Sequence, residues 1–328
     1  MEELEKVDSI DIKENDIYRR DKKLLEILLK DNSSGKYIIW ATDNYQNKGI
    51  GYYFYNKITP KSIIGRNGLV IRPRVKKSKR EQSVRIKQKA EVFTPSWVCN
   101  AQNNLIDNAW FGRQNVFNIE NNQIWIATTE KITFPQNKTW QDYVLENRLE
   151  ISCGEAPYLV SRYDTVTGKW LEINNRIGLL DRKLRVVNEN TENKEEWLQW
   201  TKKAYQSTYG FEWQGDSLLI ARENLLYTFI DYYKARFEEE PTTENLREIA
   251  KIISWNIWQM DGLKFVIPNS CKPVEEPQIS LFESEQKQKQ CIGCSKNDPS
   301  NHTGIYCKIK DWKTNKIKSF LSCVGGKK

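Results

Sequence analysis

Cys291, Cys294, His302 and Cys307 form a Cys-x2-Cys-x7-His-x4-Cys pattern, and His302 is the single histidine of the sequence. Thiolate and imidazole together suit tetrahedral zinc. A Cys-x-x-Cys pair can chelate from one turn, and His302 with Cys307 can close the site, with Cys271 or Cys323 as substitutes for His302. The spacing therefore predicts a structural zinc. No His/Glu set with an open position accompanies it, so a catalytic metal is not expected. Cys99 and Cys153 stand apart and read as small packing residues.

Carboxylates supply the second chemistry. Glu150 precedes Ser152-Cys153-Gly154-Glu155-Ala156-Pro157, Glu212 follows Tyr209-Gly210-Phe211, and Asp261 follows Met260. Each acid sits at or just beyond a run with strand character. Helices are predicted over residues 195–207, 217–237 and 242–254, the second marked by Leu218, Leu219, Ala221, Leu225, Leu226 and Phe229. The order of strands and helices predicts a parallel α/β sheet. In such a sheet ligands lie beyond the carboxyl ends of the strands. An acid at the end of the second strand can accept from two ribose hydroxyls, and one after the third from an adenine amine. No Gly-rich phosphate cradle is present, which favours a nucleoside without phosphates. A further motif, Phe93-Thr94-Pro95, opens a helix predicted over 96–110, where proline is tolerated in the first turn.

These motifs, in this order, resemble the gamma-class N6-adenine DNA methyltransferases of restriction–modification systems. There a Phe-x-Pro motif precedes a helix and an Asp-Pro-Ala-Cys-Gly-Ser-Gly-type loop follows. Next come a Gly-x-Glu stretch leading into a Leu/Ala/Asn-Leu helix and an Asp-x-Leu motif. The resemblance covers residues 85–267. It implies an incomplete, Rossmann-like, S-adenosylmethionine-dependent sheet. Phe93, Thr94 and Pro95 would embrace the methionine end of the cofactor. Glu150, Cys153, Gly154 and Ala156 would form the main loop. Glu212 would hold the ribose and Asp261 the adenine amine. Two departures stand out. The interval from Gly154 to Glu212 is long, with an insertion expected over 160–190. The catalytic Asn-Pro-Pro-Tyr motif, which would hold the flipped base, does not occur in the sequence, so no catalytic residue is assigned. Two versions stay open: a subunit of a split enzyme whose partner polypeptide supplies that motif, or an inactive truncation. A specificity or nuclease subunit would be a further partner.

The elements that must position these residues divide into four stretches. Residues 1–71 read as an N-terminal α+β extension, with a helix over 16–30 and strands over 37–45 and 51–58. Residues 72–89 hold nine basic residues and one acid, and read as either a linker or a DNA contact. Residues 90–270 form the cofactor-binding domain and 271–328 a loop with the Cys-rich unit. The chain carries a net charge of +8 and is 29% charged. It lacks any run of about 18 apolar residues, and its first residues lack the apolar stretch of a signal peptide. A cytoplasmic protein with reduced thiols is expected. The rival reading is a non-enzymatic, zinc-containing nucleic-acid-binding protein.

Overall fold

The structure is a computed structural model that describes residues 10–89, 91–275 and 288–325. Nine strands are present among these residues, and three of them form the organising sheet. These are β3 (Arg148–Ile151), β4 (Thr208–Glu212) and β5 (Ile257–Gln259). They run parallel in that order. The remaining strands pair into antiparallel ribbons. β1 (Asn118–Asn121) pairs with β2 (Ile124–Ala127), β6 (Val274–Glu275) with β7 (Gln288–Lys289), and β8 (Lys308–Asp311) with β9 (Lys316–Ser319). The protein is thus mixed α/β around a small parallel sheet.

Parallel strands need long crossovers, and here each is helical. Between β3 and β4 run the helices Leu179–Asn190 and Lys194–Gln206. The first of these occupies part of the stretch expected as an insertion. Between β4 and β5 run a long helix, Gly215–Phe237, and a shorter one, Thr243–Asn256. The long helix is buried on almost every side. Its predicted apolar residues Leu218, Leu219, Ala221, Leu225, Leu226 and Phe229 are all buried.

The N-terminal segment differs from expectation. The helix foreseen over 16–30 is broken at Asp21 into Glu14–Arg20 and Lys22–Leu29. Asp21 leaves helical geometry, caps the second helix through the Lys23 amide and pairs with Arg247 at 2.6 Å. The strands foreseen over 37–45 and 51–58 reduce to isolated bridges, Lys30–Tyr37 and Ile39–Lys57, beside short 3-10 turns. Tertiary packing overrides the aromatic, β-branched composition there. Leu24, Leu25, Leu28 and Leu29 face inward and join one continuous core that reaches Ile257. The Gln259 side chain also bonds both the amide and the carbonyl of Ile39.

A second apolar cluster lies on the opposite face of the sheet. Phe211, Trp258, Met260, Ile267, Cys307 and Phe320 pack there. The C-terminal ribbon and the short helix Phe320–Cys323 that follows it deliver Phe320, which meets Phe211 and Trp258. Leu149 and Ile151 of β3 share this face by register with Tyr209 and Phe211. They are nevertheless 45% and 69% exposed. Among the described residues no strand pairs the outer edge of β3.

Candidate functional site

At the carboxyl ends of β3 and β4 the chain opens into a cavity of about 780 Å³. Its floor is the turn after β3. Ser152, Gly154 and Ala156 all hold positive φ, at 52°, 53° and 64°. The turn closes through the Ala156 amide on the Cys153 carbonyl, and the Cys153 amide is held by the Phe211 carbonyl of β4. Glycine suits position 154 because its left-handed backbone strains any other residue. A Cβ there would meet only the Phe93 ring, at 3.8 Å. Ser152 and Ala156 carry the same conformation with a side chain, a cost the surrounding fold must sustain.

Two acids dominate the floor. Glu150 accepts from the amides of Tyr158 and Leu159. Glu212 accepts from Gly154 at 2.8 Å and from Gln214 at 3.0 Å. Neither has a described cation as salt-bridge partner. Burial therefore pushes both carboxyls up from the usual range, and the Glu212 charge pushes Glu150 further. Two more acids lie on the wall. Glu91 pairs with Arg85 at 3.0 Å. Glu155 accepts from the Arg74 amide and the Tyr163 hydroxyl. Asp43 is the fifth carboxylate, and no Lys, Arg or His lines the cavity among the described residues. Such a lining selects cations and hydrogen-bond donors, and repels phosphate.

Phe93 and Thr94 line the wall above the turn. Pro95 stands as N-cap of the helix Ser96–Phe111. Asp164 anchors this helix start by accepting from the Ser96 amide at 2.6 Å. The Thr165 hydroxyl donates to the Thr94 carbonyl. The hairpin-like segment around the Tyr163–Trp170 bridge thus holds the Phe-Thr-Pro segment in place.

Six of the nine residues assigned to a cofactor meet on this one cavity: Phe93, Thr94, Glu150, Cys153, Gly154 and Glu212. Ala156 and Pro95 support it without lining it. Asp261 is not brought there. Its carboxylate accepts from the amides of Leu263 and Lys264 and lies 3.7 Å from the Lys264 ammonium. A turn has absorbed it. Sequence reasoning missed the opposite wall, formed by Ala41, Thr42, Asp43, Phe54, Glu91, Trp213, Gln214 and Asn269. The Ala41 carbonyl accepts from Trp213 and Asn269. Ala41, Thr42, Asp43, Phe54 and Asn269 come from distant segments without a motif, whereas Glu91, Trp213 and Gln214 adjoin the motif residues Phe93 and Glu212.

The basic stretch is also partly internal. Lys77 and Arg85 reach the buried Asp216 at 3.5 and 2.7 Å, and the Tyr45 hydroxyl donates to the same oxygen. Burial raises the Asp216 carboxyl, but the two cations and Tyr45 hold it well below the usual range. Lys79–Lys89 is a helix.

A Cys/His cluster that could hold a metal ion forms at the start of the C-terminal unit. Cys271, Cys291, Cys294 and His302 place one ligand atom each within 4.8 Å of one another. All three sulfurs stand 3.6 Å from the His302 Nδ1. Tetrahedral zinc with ordinary Zn–S and Zn–N bonds gives an S–N edge of about 3.6 Å. The three sulfur–nitrogen separations match that edge, and the four residues could hold a metal ion such as zinc. Burial and the neighbouring Cys294 and Cys291 thiols push Cys271 up to about 12. At Cys291 burial is outweighed by donors including the Thr303 amide, so its thiol falls to about 5. Cys271 takes the place assigned to Cys307, and His302 keeps its own. Cys307 is fully buried in the second apolar cluster, its thiol directed at the Gln259 carbonyl. Cys323 is exposed and outside the group. Cys99 and Cys153 are buried and their thiols are pushed up by burial, as packing residues would be.

Against known proteins the chain finds no match among family models, curated proteins or solved structures.

Proposed function

We propose that this chain is the S-adenosylmethionine-binding part of a site-specific DNA adenine-N6 methyltransferase of a restriction–modification system. The observation that carries the reading is the convergence on one cavity. Phe93-Thr94, the Glu150 to Gly154 turn and Glu212 are far apart in sequence yet line the same acidic hollow. Of its five carboxylates only Glu91 pairs with a described cation, and S-adenosylmethionine brings a sulfonium and an ammonium. Adjacent parallel strands with helical crossovers are consistent with a Rossmann-like sheet and a ligand at its carboxyl end.

In this reading Glu150 and its turn receive the ammonium, Phe93 and Thr94 cover the methionine end, and Glu212 accepts from the ribose hydroxyls. The bound cofactor supplies an electrophilic methyl group. Asp261 has no part in holding adenine, and Asp43, Gln214 and Asn269 are the polar groups on the remaining wall. The reading gives the base-holding Asn-Pro-Pro-Tyr segment to a second polypeptide, the alternative being an inactive truncation. The open outer edge of β3 supports the second polypeptide. Among the described residues no strand pairs this edge, and Leu149 and Ile151 are exposed on it, the features that invite strand addition. A structural zinc at Cys271, Cys291, Cys294 and His302 would brace the segment that carries Asn269.

Calorimetry with S-adenosylmethionine tests the proposal. Saturable binding that Glu212→Ala abolishes, in a variant of unchanged secondary structure, is the expected result. Absence of binding by the unaltered protein, with DNA affinity retained, would instead favour a zinc-containing nucleic-acid-binding protein without enzymatic activity.

A further inference from the structure

The surface beside the cavity has an unusual composition. Residues 44–80 contain ten Lys or Arg and no Asp or Glu. Lys77 is consumed internally by Asp216. Lys48, Lys57, Lys61 and Arg66 are exposed. None of these four forms a salt bridge with a described carboxylate. Threaded through them is Ile50-Gly51-Tyr52-Tyr53-Phe54-Tyr55, an apolar and aromatic turn that stays at the surface. Ile50 is 82% exposed and Tyr55 59% exposed. Exposed aromatic clusters of this kind mark binding surfaces.

The turn also has a definite geometry. Tyr52, Tyr55, Lys57 and Lys61 line an open hollow of about 530 Å³ that contains no acid. The Tyr52 hydroxyl is fixed on the Ser62 carbonyl at 2.9 Å. The Tyr53 and Tyr55 rings stack at 5.8 Å. Phe54, which lies between them in the chain, meets the Tyr55 ring edge-on at 5.1 Å and lines the acidic cavity. Consecutive side chains therefore belong to two hollows, one basic and aromatic, the other acidic.

We propose that the turn Ile50–Tyr55, with Lys57 and Lys61, is the nucleic-acid-binding surface, where a DNA strand places phosphates on the lysines and a base against Tyr55. Aromatic faces beside cations are how proteins hold unpaired nucleotides, and an apolar tip such as Ile50 is suited to enter a base step. This rests on and deepens the DNA half of the proposed function. It moves the contact away from the helix Lys79–Lys89, one of whose cations, Arg85, is buried in ion pairs.

Fluorescence anisotropy with labelled single-stranded and duplex DNA tests it, using the full chain. The variant Lys57→Ala/Lys61→Ala removes two phosphate contacts, so the slope of log affinity against log salt should shrink by about 1.4–1.8. Ile50→Ala/Tyr55→Ala should weaken single-strand binding about tenfold while leaving the slope alone. None of these four residues lines the acidic cavity. Binding of S-adenosylmethionine should therefore be unchanged in both variants, which separates this proposal from the cofactor reading. Wild-type DNA affinity in both variants overturns the proposal. Heparin binding as tight as DNA binding, with no dependence on Tyr55, overturns it as well.

Discussion

Replacing Cys271 with Ser should strip the metal from the C-terminal unit, whereas replacing Cys307 with Ser should not. The Cys271 sulfur and those of Cys291 and Cys294 stand at a common 3.6 Å from the His302 nitrogen, which is the tetrahedral edge expected around zinc. Structural zinc in small sites is worth about 10–16 kcal/mol, or about 3–4 kcal/mol per ligand. Losing one thiolate should then weaken zinc by about two to three orders of magnitude. Cys307 sits among Trp258, Met260 and Phe320 with its thiol on the Gln259 carbonyl. Serine there keeps the hydrogen bond and costs about 1–2 kcal/mol of stability, with one zinc still bound. Competition with a chromogenic chelator, read beside metal content, measures both variants. A Cys307→Ser protein that loses zinc while Cys271→Ser retains it would refute the assignment.

Cofactor affinity should also follow pH. Burial raises the carboxyls of Glu150 and Glu212, so protonation competes with a cationic ligand. Affinity should rise as pH rises through the raised folded-state values and level off once both are ionised, and Glu150→Gln should flatten the profile; a flat profile in the unaltered protein would count against ionised carboxylates as the cation's partners. In the ligand-free protein the same raised values make stability fall as pH rises through them, so the thermal shift given by S-adenosylmethionine should grow with pH. Asp216→Asn should cost about 3–5 kcal/mol in urea titration, because Lys77 is left buried without a carboxylate and Arg85 keeps only Glu91. As the Asp216 carboxyl is held below its usual range, its contribution is present at neutral pH and lost as the solution is acidified through its folded-state value. Leu149→Lys and Ile151→Lys should each change stability by less than about 0.5 kcal/mol, the outcome for exposed positions. A loss of several kcal/mol would show that the β3 edge is covered.

Much of the sheet is legible in the chain. The helix Gly215–Phe237 shows in its apolar spacing, and the β4 end in Gly210 and Glu212. These are local signals set by helical or strand periodicity and short-range turn chemistry. The N-terminal segment is not legible in the same way, because residues 37–58 are rich in aromatic and β-branched types for reasons other than strand pairing. Some, such as Trp40 and Ile58, fill the core, and others, such as Tyr55, stay outside. Composition cannot separate those two uses.

The sequence by itself determined which residues are able to act: the acids at Glu150 and Glu212, the glycine at 154, and the Cys-x-x-Cys pair with the single histidine. Backbone conformation and ligand chemistry are properties of residue type, so they survive in a linear reading. Only the tertiary structure decided which of those residues meet. It gave Cys271, and not Cys307, to the metal centre, since the second apolar cluster takes Cys307 as a core residue. It withdrew Asp261 into a turn, since two neighbouring amides claim its carboxylate. It brought Asp43, Phe54 and Asn269 to the cavity from segments with no motif, because proximity across roughly 200 residues is fixed by packing and not by spacing.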